Sequence, residues 1–276
     1  MALLKDNRIL PILRIVSILV LPFLVLAFLI LYLAPQTSAE RFAWEIQPAM
    51  MAAFMGAGYL TGAYFFLNVI IGKQWHRIRV ILPAIVCFTL FMLLSTIFHW
   101  SRFDLHHLPF QAWLTLYILV PPLISYLWLR NDQADPGTLE PVDVLVPESI
   151  RILVKWISVI LLFVSLLGFA VPQFLIQIWP WMLTPLTARV TSGWIALIGS
   201  GAVFLAAEKR WSAWRLSMNV IVLWETLVLI AGFFHPQDLT PGWLNWLFIS
   251  VLLQLIALLV FYISMELRRR GNIHAA

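Results

Sequence analysis

Residues 44–62, WEIQPAMMAAFMGAGYLTG, return in altered form at residues 181–199 as WMLTPLTARVTSGWIALIG. An offset of 137 aligns a tryptophan, a proline and two glycines: Trp44 with Trp181, Pro48 with Pro185, Gly56 with Gly193 and Gly62 with Gly199. Each copy has a tryptophan suited to a membrane interface, a proline where a helix would begin, and small residues along an apolar helix. The pattern predicts that a membrane-embedded helical unit has been duplicated within the chain.

The composition indicates that lipid is the main solvent of this chain. Its 276 residues are 62% hydrophobic and 11% charged, with a mean hydropathy of +0.92. A soluble domain usually has about 45–50% apolar and about 25% charged residues. The net charge of +5 comes from short basic clusters between apolar runs, a pattern typical of membrane topology and not of nucleic-acid binding. The single cysteine, Cys87, excludes a disulfide framework. We therefore expect a lipid bilayer, and no nucleic acid, as the partner.

Eight apolar runs are each long enough to cross a bilayer, which takes about 20 residues. They cover residues 14–35, 48–71, 78–99, 110–129, 151–172, 185–207, 215–234 and 243–265. Backbone groups in lipid must find their hydrogen-bond partners within the segment, so the runs predict eight transmembrane helices. No cleavage site follows the first run, so we interpret it as a retained helix and not as a signal peptide.

The lysines and arginines are distributed unequally between the two sides of the predicted membrane. Of the eighteen, only Arg41, Arg102 and Arg189 lie on one side. This positive-inside pattern predicts that both termini are cytoplasmic. We expect a multi-pass protein of the bacterial cytoplasmic (inner) membrane.

The duplication extends well beyond the opening stretch. After one residue is lost from the second copy, an offset of 136 aligns Trp75 with Trp211, Arg79 with Arg215 and His99 with His235. Because each copy has an even number of helices, both copies begin on the same side of the membrane and have the same orientation in it. The sequence therefore predicts two parallel four-helix repeats, residues 1–130 and 150–276, with a pseudo-two-fold axis along the membrane normal. Residues 131–149 are predicted to form a polar cytoplasmic linker.

The second and sixth runs carry small residues at helical spacing, among them Gly56 and Gly62 in one run and Gly193 and Gly199 in the other. Small residues let two helix backbones approach closely in lipid. We expect these two helices to lie at the centre of the molecule and to pack against each other. The alternative is that each of them packs only inside its own repeat.

Glu225 lies in the middle of the seventh run and is the strongest candidate for a functional group. A carboxylate at bilayer depth faces the protein interior or a water cavity, or else it is protonated. Its counterpart is Thr89, so the charge belongs to one repeat only. We predict a substrate or proton-coupling site here, with Asn219, Thr226 and Gln254 as neighbours. The alternative is a protonated carboxyl group that holds helices together.

Arg189 is another candidate, because it is a lone basic residue just inside the outer end of the sixth run. Two functional interpretations are a pairing with Glu40 or Glu45 and the attraction of an anionic group. The structural alternative is an arginine that extends its charge to the membrane surface.

His99 and His235 occupy matching positions at the outer ends of the third and seventh runs. Two histidines that meet at a two-fold axis would hold a metal ion or a haem iron. The spacing of His99 from Asp104, His106 and His107 fits no ligand template, however. We therefore predict no cofactor and expect each of the paired histidines to form hydrogen bonds within its own repeat.

The chain lacks the nucleotide-binding, zinc-protease and hydrolase motifs that would indicate an enzyme. Parallel duplication recurs in transporters, so the sequence predicts a protein that transports or binds a small molecule or lipid between its repeats. The first alternative is a non-catalytic structural, assembly or sensory membrane protein, because few polar residues lie in the runs. The second alternative is a membrane-embedded haem or metal protein that uses His99 and His235.

Overall fold

The computed structural model describes residues 5–140 and 142–275, and of residues 243–245 and 272–275 it describes only the backbone. Residues 1–4 and 276 of the predicted repeats, and Pro141 of the predicted linker, lie outside the described residues. Every regular element within the described ranges is helical. This agrees with the prediction of an all-α membrane protein.

The α-helices in the described ranges are α1 Pro11–Phe28, α2 Ser38–Arg41, α3 Ala49–Ile71, α4 Leu82–Phe98, α5 Leu108–Asp132, α6 Glu148–Ala170, α7 Pro172–Ile178, α8 Pro185–Ala207, α9 Trp211–Phe234 and α10 Trp243–Ala275. A π-helical turn, Leu29–Leu33, continues α1. Short 3-10 turns follow at Pro35–Thr37, Trp75–Arg77, Trp100–Arg102 and Pro236–Asp238.

Seven helices in the described part of the chain are long and apolar enough to cross a membrane. They are α1 with its π-helical turn, α3, α5, α6, α8, α9 and the segment Trp246–Gly271 of α10. The remaining predicted span, the third at residues 78–99, corresponds to α4, which is apolar but only 17 residues long. At 1.5 Å per residue it measures about 26 Å, slightly less than the hydrocarbon core of about 30 Å.

The repeated prolines mark the beginnings of α3 and α8, as expected. Pro48 immediately precedes α3, and Pro185 is the first residue of α8. In α8 the Thr184 hydroxyl accepts a hydrogen bond from the backbone N–H of Thr187 at 3.2 Å. The Thr187 hydroxyl accepts one from the backbone N–H of Thr184 at 2.8 Å. This reciprocal arrangement caps the helix and satisfies two backbone donors that the helix itself leaves unpaired.

The helices α3 and α8 are the most deeply buried of the candidate spans, so the prediction that they lie at the centre is confirmed. Their main neighbours are other helices, however: α3 packs against α1 and α9, and α8 packs against α6 and α4. The two central helices meet through Trp194 of α8, whose ring lies over Gly58 where a Cβ atom would overlap it. The expected backbone-to-backbone packing is thus replaced by one large side chain.

Three of the four repeated glycines, Gly56, Gly193 and Gly199, allow close packing, each against a different neighbour. Gly56 faces the backbone of Tyr32, where a Cβ atom would come within 2.8 Å. Gly193 faces Phe91 and Met92 of α4. A Cβ atom on Gly199 would lie 3.1 Å from Leu162 of α6, whereas one on Gly62 would lie at an ordinary 3.5 Å from Leu24 of α1. Small residues were therefore a correct signal of contact, although they did not identify the partner.

Aromatic rings fill the middle of the molecule. The ring of Phe54 in α3 lies 5.3 Å from Trp224 of α9 and 6.2 Å from Trp194 of α8, measured between ring centroids. Trp194 lies 4.4 Å from Phe88 of α4. Offset and edge-to-face pairs of this kind are the favoured arrangement of aromatic rings. The rings join helices from both halves of the chain.

Trp44 and Trp181 lie at one end of the helices, which we call the aromatic end (residues 34–48, 99–107, 171–184 and 235–242). The Trp44 ring packs at a centroid distance of 5.0 Å against Trp113. Trp181 forms an isolated bridge with Leu239 and donates its indole N–H to the Met51 sulfur at 3.5 Å. We call the opposite end the basic end (residues 5–10, 72–81, 131–147 and 208–215), where most of the ion pairs described below lie.

Candidate binding cleft at the basic end

Trp75 anchors the first half of the chain at the basic end. Its ring is fully buried, and its indole N–H donates to Asp132 at the end of α5 over 3.2 Å. Its backbone N–H donates to the Asn7 carbonyl at 2.7 Å. Nε of Arg79 lies 2.9 Å from the same Asp132 carboxylate. These contacts tie the N-terminal segment, the α3–α4 turn and the end of α5 together.

Trp211 anchors the second half in the same way. Its ring is fully buried, and its indole N–H donates to Glu266 of α10 at 2.8 Å. Its backbone N–H donates to the Val144 carbonyl at 3.0 Å. Nε of Arg215 lies 2.8 Å from the Glu266 carboxylate. Tryptophan and arginine thus meet at one carboxylate in both halves.

A chain of hydrogen bonds crosses the basic end between the two anchors. The Asn7 amide group donates to Nδ1 of His76 at 2.7 Å, while its oxygen accepts from the His76 backbone N–H at 3.1 Å. Nε2 of His76 therefore carries the ring proton and donates to the Ser212 hydroxyl at 2.9 Å. Ser212 in turn donates to Asp143. Burial lowers the pKa of His76 and the Arg210 charge lowers it further, which is consistent with a neutral ring.

Arg210 forms the most deeply buried ion pairs of the basic end. Its guanidinium donates to both Asp135 oxygens, at 2.8 and 2.7 Å, and to both Glu208 oxygens, with the shortest bond at 2.6 Å. Arg79 adds a bond of 2.6 Å to Asp135. Burial by itself raises the pKa of Asp135 and of Glu208, but the Arg210 hydrogen bonds outweigh burial and hold both pKa values below their usual range.

The segment that the sequence predicts to be a polar linker, residues 131–149, supplies four carboxylates at the basic end: Asp132, Asp135, Glu140 and Asp143. The segment also contacts the second half through its backbone, because Val146 donates its N–H to the Lys209 carbonyl at 2.9 Å. The hydropathy pattern does not identify this role. The acidic content of the segment, beside basic clusters on the same predicted side, is the signal that could have indicated it.

A cleft of about 250 Å³ lies beside these networks, between the C-terminal end of α3 and the N-terminal end of α9. Its polar lining consists of Asn68, Lys73, Gln74, Arg77, Ser212, Arg215 and Asn219. None of the described residues that line it is acidic. The cleft therefore presents amide, hydroxyl and cationic groups contributed by both halves of the chain.

The arginines of the cleft are held in place by carboxylates outside its lining. Arg77 donates to both Glu140 oxygens, at 2.9 and 2.7 Å, and Arg215 pairs with Glu266. Lys73 is exposed and has no ion pair in the described part of the chain. Burial by itself raises the pKa of Glu140, but the Arg77 hydrogen bonds and the Arg77 charge outweigh burial and lower this pKa.

Asn219 is the one predicted site residue that lines this cleft. Its amide group lies 3.5 Å from the Tyr64 hydroxyl. Glu225 lies farther along the same helix and is half-buried, and its Oε2 atom has no hydrogen-bond partner in the described residues.

Thr226 and Gln254, the other predicted neighbours of Glu225, are both exposed. The Thr226 hydroxyl donates to the Val222 carbonyl, and the Gln254 amide donates to the Ser250 carbonyl. Each therefore bonds to the backbone of its own helix. No hydrogen bond in the described part of the chain joins either of them to Glu225.

Arg189 binds across the two halves, but its partner is not Glu40 or Glu45. It donates to Nε2 of His99 at 2.7 Å and to the Phe169 carbonyl at 3.1 Å, and its guanidinium lies 5.4 Å from the centre of the Phe98 ring. Because a guanidinium group only donates hydrogen bonds, Nε2 of His99 is the acceptor of this bond. The expectation that each paired histidine bonds within its own repeat is wrong for His99, because the helix ends meet across the halves.

His235, the counterpart of His99, is half-buried and lies directly after α9. Within the described ranges no group of three or more histidine, cysteine, aspartate or glutamate side chains could hold a metal ion. Because Arg189 occupies Nε2 of His99, a metal or haem iron at this atom would require that hydrogen bond to break.

We compared the chain with protein-family models, with curated proteins and with solved structures, and none of these comparisons found a match.

Proposed function

We propose that this protein consists of two parallel four-helix repeats with eight membrane spans and that it binds a small ligand in the cleft between the repeats. The cleft carries the proposal, because its polar lining combines residues of both repeats at their junction. Its volume of about 250 Å³ is slightly below the range of about 300–1,000 Å³ typical of drug-sized ligands. A small metabolite or a lipid headgroup is therefore the best fit.

Matched backbone contacts support the duplication. An isolated bridge joins Arg8 to Gln74, and another joins Leu145 to Arg210. These four residues correspond at the offsets of 137 and 136 that align the two copies of the sequence. A common ancestral unit explains why bridges form at equivalent places, since unrelated helical segments have no reason to pair at equivalent residues.

Helix packing supports the same arrangement. The helix α1 packs on α3 as α6 packs on α8, and α4 packs on α5 as α9 packs on α10. Across the halves, α3 packs on α9 as α8 packs on α4. Each contact has a counterpart in the other half, which is the pattern expected if parallel repeats are related by a two-fold rotation.

The eight-span topology with cytoplasmic termini can be tested with reporter fusions after residues 40, 75 and 140. We expect an external reading for the first fusion and cytoplasmic readings for the other two, because fifteen of the eighteen basic residues are then cytoplasmic. A fusion at residue 140 that reads external would contradict both the eight spans and the parallel repeats, and would indicate that α4 does not cross the membrane.

If the protein is a transporter, ligand binding in the cleft is one step of the transport cycle. Phe54, Trp194 and Trp224 fill the centre between the halves, so passage of a ligand would require these rings to move. This filled centre favours a second candidate, a non-catalytic sensory or assembly protein that binds its ligand without transporting it. The variant Glu225→Gln distinguishes the two candidates. In a proton-coupled transporter it should abolish uptake of the ligand into vesicles. In a sensor it should leave ligand binding intact.

Native mass spectrometry of the purified protein tests ligand binding at the cleft. Asn219→Phe places a bulky ring in the lining and should remove a bound small-molecule mass. Val222→Phe is the matched control, because Val222 lies one turn farther along α9 and is exposed. Equal loss of the ligand from both variants would contradict the cleft assignment, as would retention of the ligand by Asn219→Phe.

A further inference from the structure

We infer that the basic-end cleft recognises a phosphate group, carried either by the headgroup of an anionic lipid or by a soluble ligand. The inference rests on the proposed function, because it names the chemical class of the ligand that the cleft would bind. Phosphate oxygens are strong hydrogen-bond acceptors and favour arginine and lysine as partners.

The charge of the lining supports an anionic ligand. Lys73, Arg77 and Arg215 contribute three cations to the cleft. Glu140 and Glu266 balance the two arginines from outside the lining, and no partner in the described residues balances Lys73. A ligand in the cleft therefore meets cationic groups directly, with the neutralising carboxylates behind them.

Hydrogen-bond donors remain available in the lining. An arginine has five N–H donors, and Glu140 accepts only from Nε and NH2 of Arg77. The NH1 group of Arg77 has no hydrogen bond in the described part of the chain. The ammonium group of Lys73 adds donors at the exposed side of the cleft.

The carboxylate that bonds to Ser212 is stabilised by hydrogen bonds. Asp143 accepts from both the hydroxyl and the backbone N–H of Ser212. This carboxylate therefore lies against the N-terminal end of α9, where the helix dipole stabilises negative charge. The lining itself carries cationic and no acidic side chains in the described residues, although the surrounding basic end contains several acidic residues.

The position of the cleft suits a lipid headgroup. It lies at the ends of α3 and α9, between membrane helices and on the side where most basic residues gather. Basic pockets between transmembrane helices on the cytoplasmic side are recurrent binding sites for phosphate-containing headgroups. Lys73 lies at the exposed side of the cleft, and Asn219 lies about two turns inside α9.

Binding can be measured with the purified full-length protein in neutral detergent. Three probes separate the sources of phosphate: an anionic phospholipid, zwitterionic phosphatidylcholine and inorganic phosphate. We expect saturable binding of a phosphate-bearing probe that weakens as salt increases. Anionic lipid binding above that of phosphatidylcholine indicates a headgroup site, whereas saturable binding of inorganic phosphate alone indicates a soluble phosphorylated ligand.

Lys73→Gln should weaken binding about fivefold, since one basic residue near an anionic surface contributes about 1 kcal/mol. Gln74→Glu, which adds negative charge to the lining, should weaken it further. Lys209→Gln is the control, because Lys209 is exposed at the same end but outside the lining. Its binding should match that of the unmodified protein.

Equal losses for Lys73→Gln and Lys209→Gln would overturn the inference, because they would indicate attraction to the whole basic surface. Failure of all three probes would also overturn it. Native mass spectrometry separates this failure from a failure of the proposed function. If it detects a bound ligand that Asn219→Phe removes, the cleft binds a ligand of another chemical class and the proposed function stands. If neither experiment detects a ligand, both proposals fail.

Discussion

The two tryptophan anchors of the basic end resemble each other closely, yet the acidic residues between them have no such symmetry. In one anchor Trp75 and Arg79 meet at Asp132, and in the other Trp211 and Arg215 meet at Glu266. An aspartate at the end of α5 thus has the same contacts as a glutamate within the longer α10. The two anchors share their geometry although their carboxylates differ.

The segment between the anchors occurs only once in the chain. It supplies Asp135, Glu140 and Asp143, which bond to residues of both halves. The anchors therefore organise each half separately, and this unrepeated segment joins the halves. We call Asp135, Glu208 and Arg210 the seam, because their ion pairs link this segment to the second half. Substitutions in the seam should be more damaging than equivalent substitutions in one anchor, because the seam charges are buried and have several partners each.

The largest effect is expected for Arg210→Met, which removes the shared partner of Asp135 and Glu208. Breaking one side of a buried ion pair costs about 3–5 kcal/mol, because it leaves uncompensated charge. The free energy of unfolding in mixed micelles measures this loss. Lys209→Met is the control, since Lys209 is exposed. Similar stabilities of the two variants would show that the seam does not hold the halves together.

Equal destabilisation is expected for Trp75→Phe and Trp211→Phe. Each change removes an indole N–H bond to a carboxylate, and a hydrogen bond to a charged group contributes about 1.5–3 kcal/mol. The loss of ring volume destabilises both variants by a similar further amount, since both rings are fully buried. Unfolding curves of the two variants should nearly coincide. A difference of more than about 2 kcal/mol would mean that the anchors are not energetically equivalent.

Gly56→Ala should destabilise the protein by about 1–3 kcal/mol, the usual range for overpacking a core. The new Cβ atom would come within 2.8 Å of the Tyr32 backbone nitrogen, which cannot move without shifting the π-helical turn. Gly62→Ala is the matched control on the same helix, because its Cβ atom would make only an ordinary 3.5 Å contact. Thermal unfolding of both variants in detergent should separate them. Indistinguishable midpoints would refute the close approach at Gly56.

The smallest effect is the loss of stability on acidification from about pH 6.5, the usual pKa of histidine. Because the pKa of His76 is lowered in the folded protein, unfolded chains bind a proton first, and stability falls as pH decreases through this range. Asp135 and Glu208, whose pKa values are also lowered, extend the loss below about pH 4.5 with the same sign. In stability measurements at several pH values, His76→Gln should flatten the slope between about pH 6.5 and 5. An unchanged slope would exclude His76 as its source.

Much of the helical architecture could be predicted from local sequence, because hydropathy and helix capping depend on neighbouring residues. Pro48 and Pro185 correctly marked the beginnings of α3 and α8. The small residues correctly assigned these helices to the centre. The candidate site was predicted far less well, since Asn219 alone among the predicted site residues lines the cleft. Sequence reasoning selected Glu225 because a charged residue in the middle of an apolar run is unusual. The cleft instead lies at the ends of helices, where the two halves meet.

The sequence by itself determined that the chain is apolar, helical and internally similar, because hydropathy, helix-starting prolines and the offsets between copies are properties of the linear order of residues. Only the tertiary structure decided that His76 bonds Ser212, that Arg189 bonds His99 and that Arg210 bonds Asp135. These partners are 75 to 136 positions apart in the chain. The choice of partner for a charged or polar group depends on which loops and helix ends packing brings together, and hydropathy carries no information about that choice.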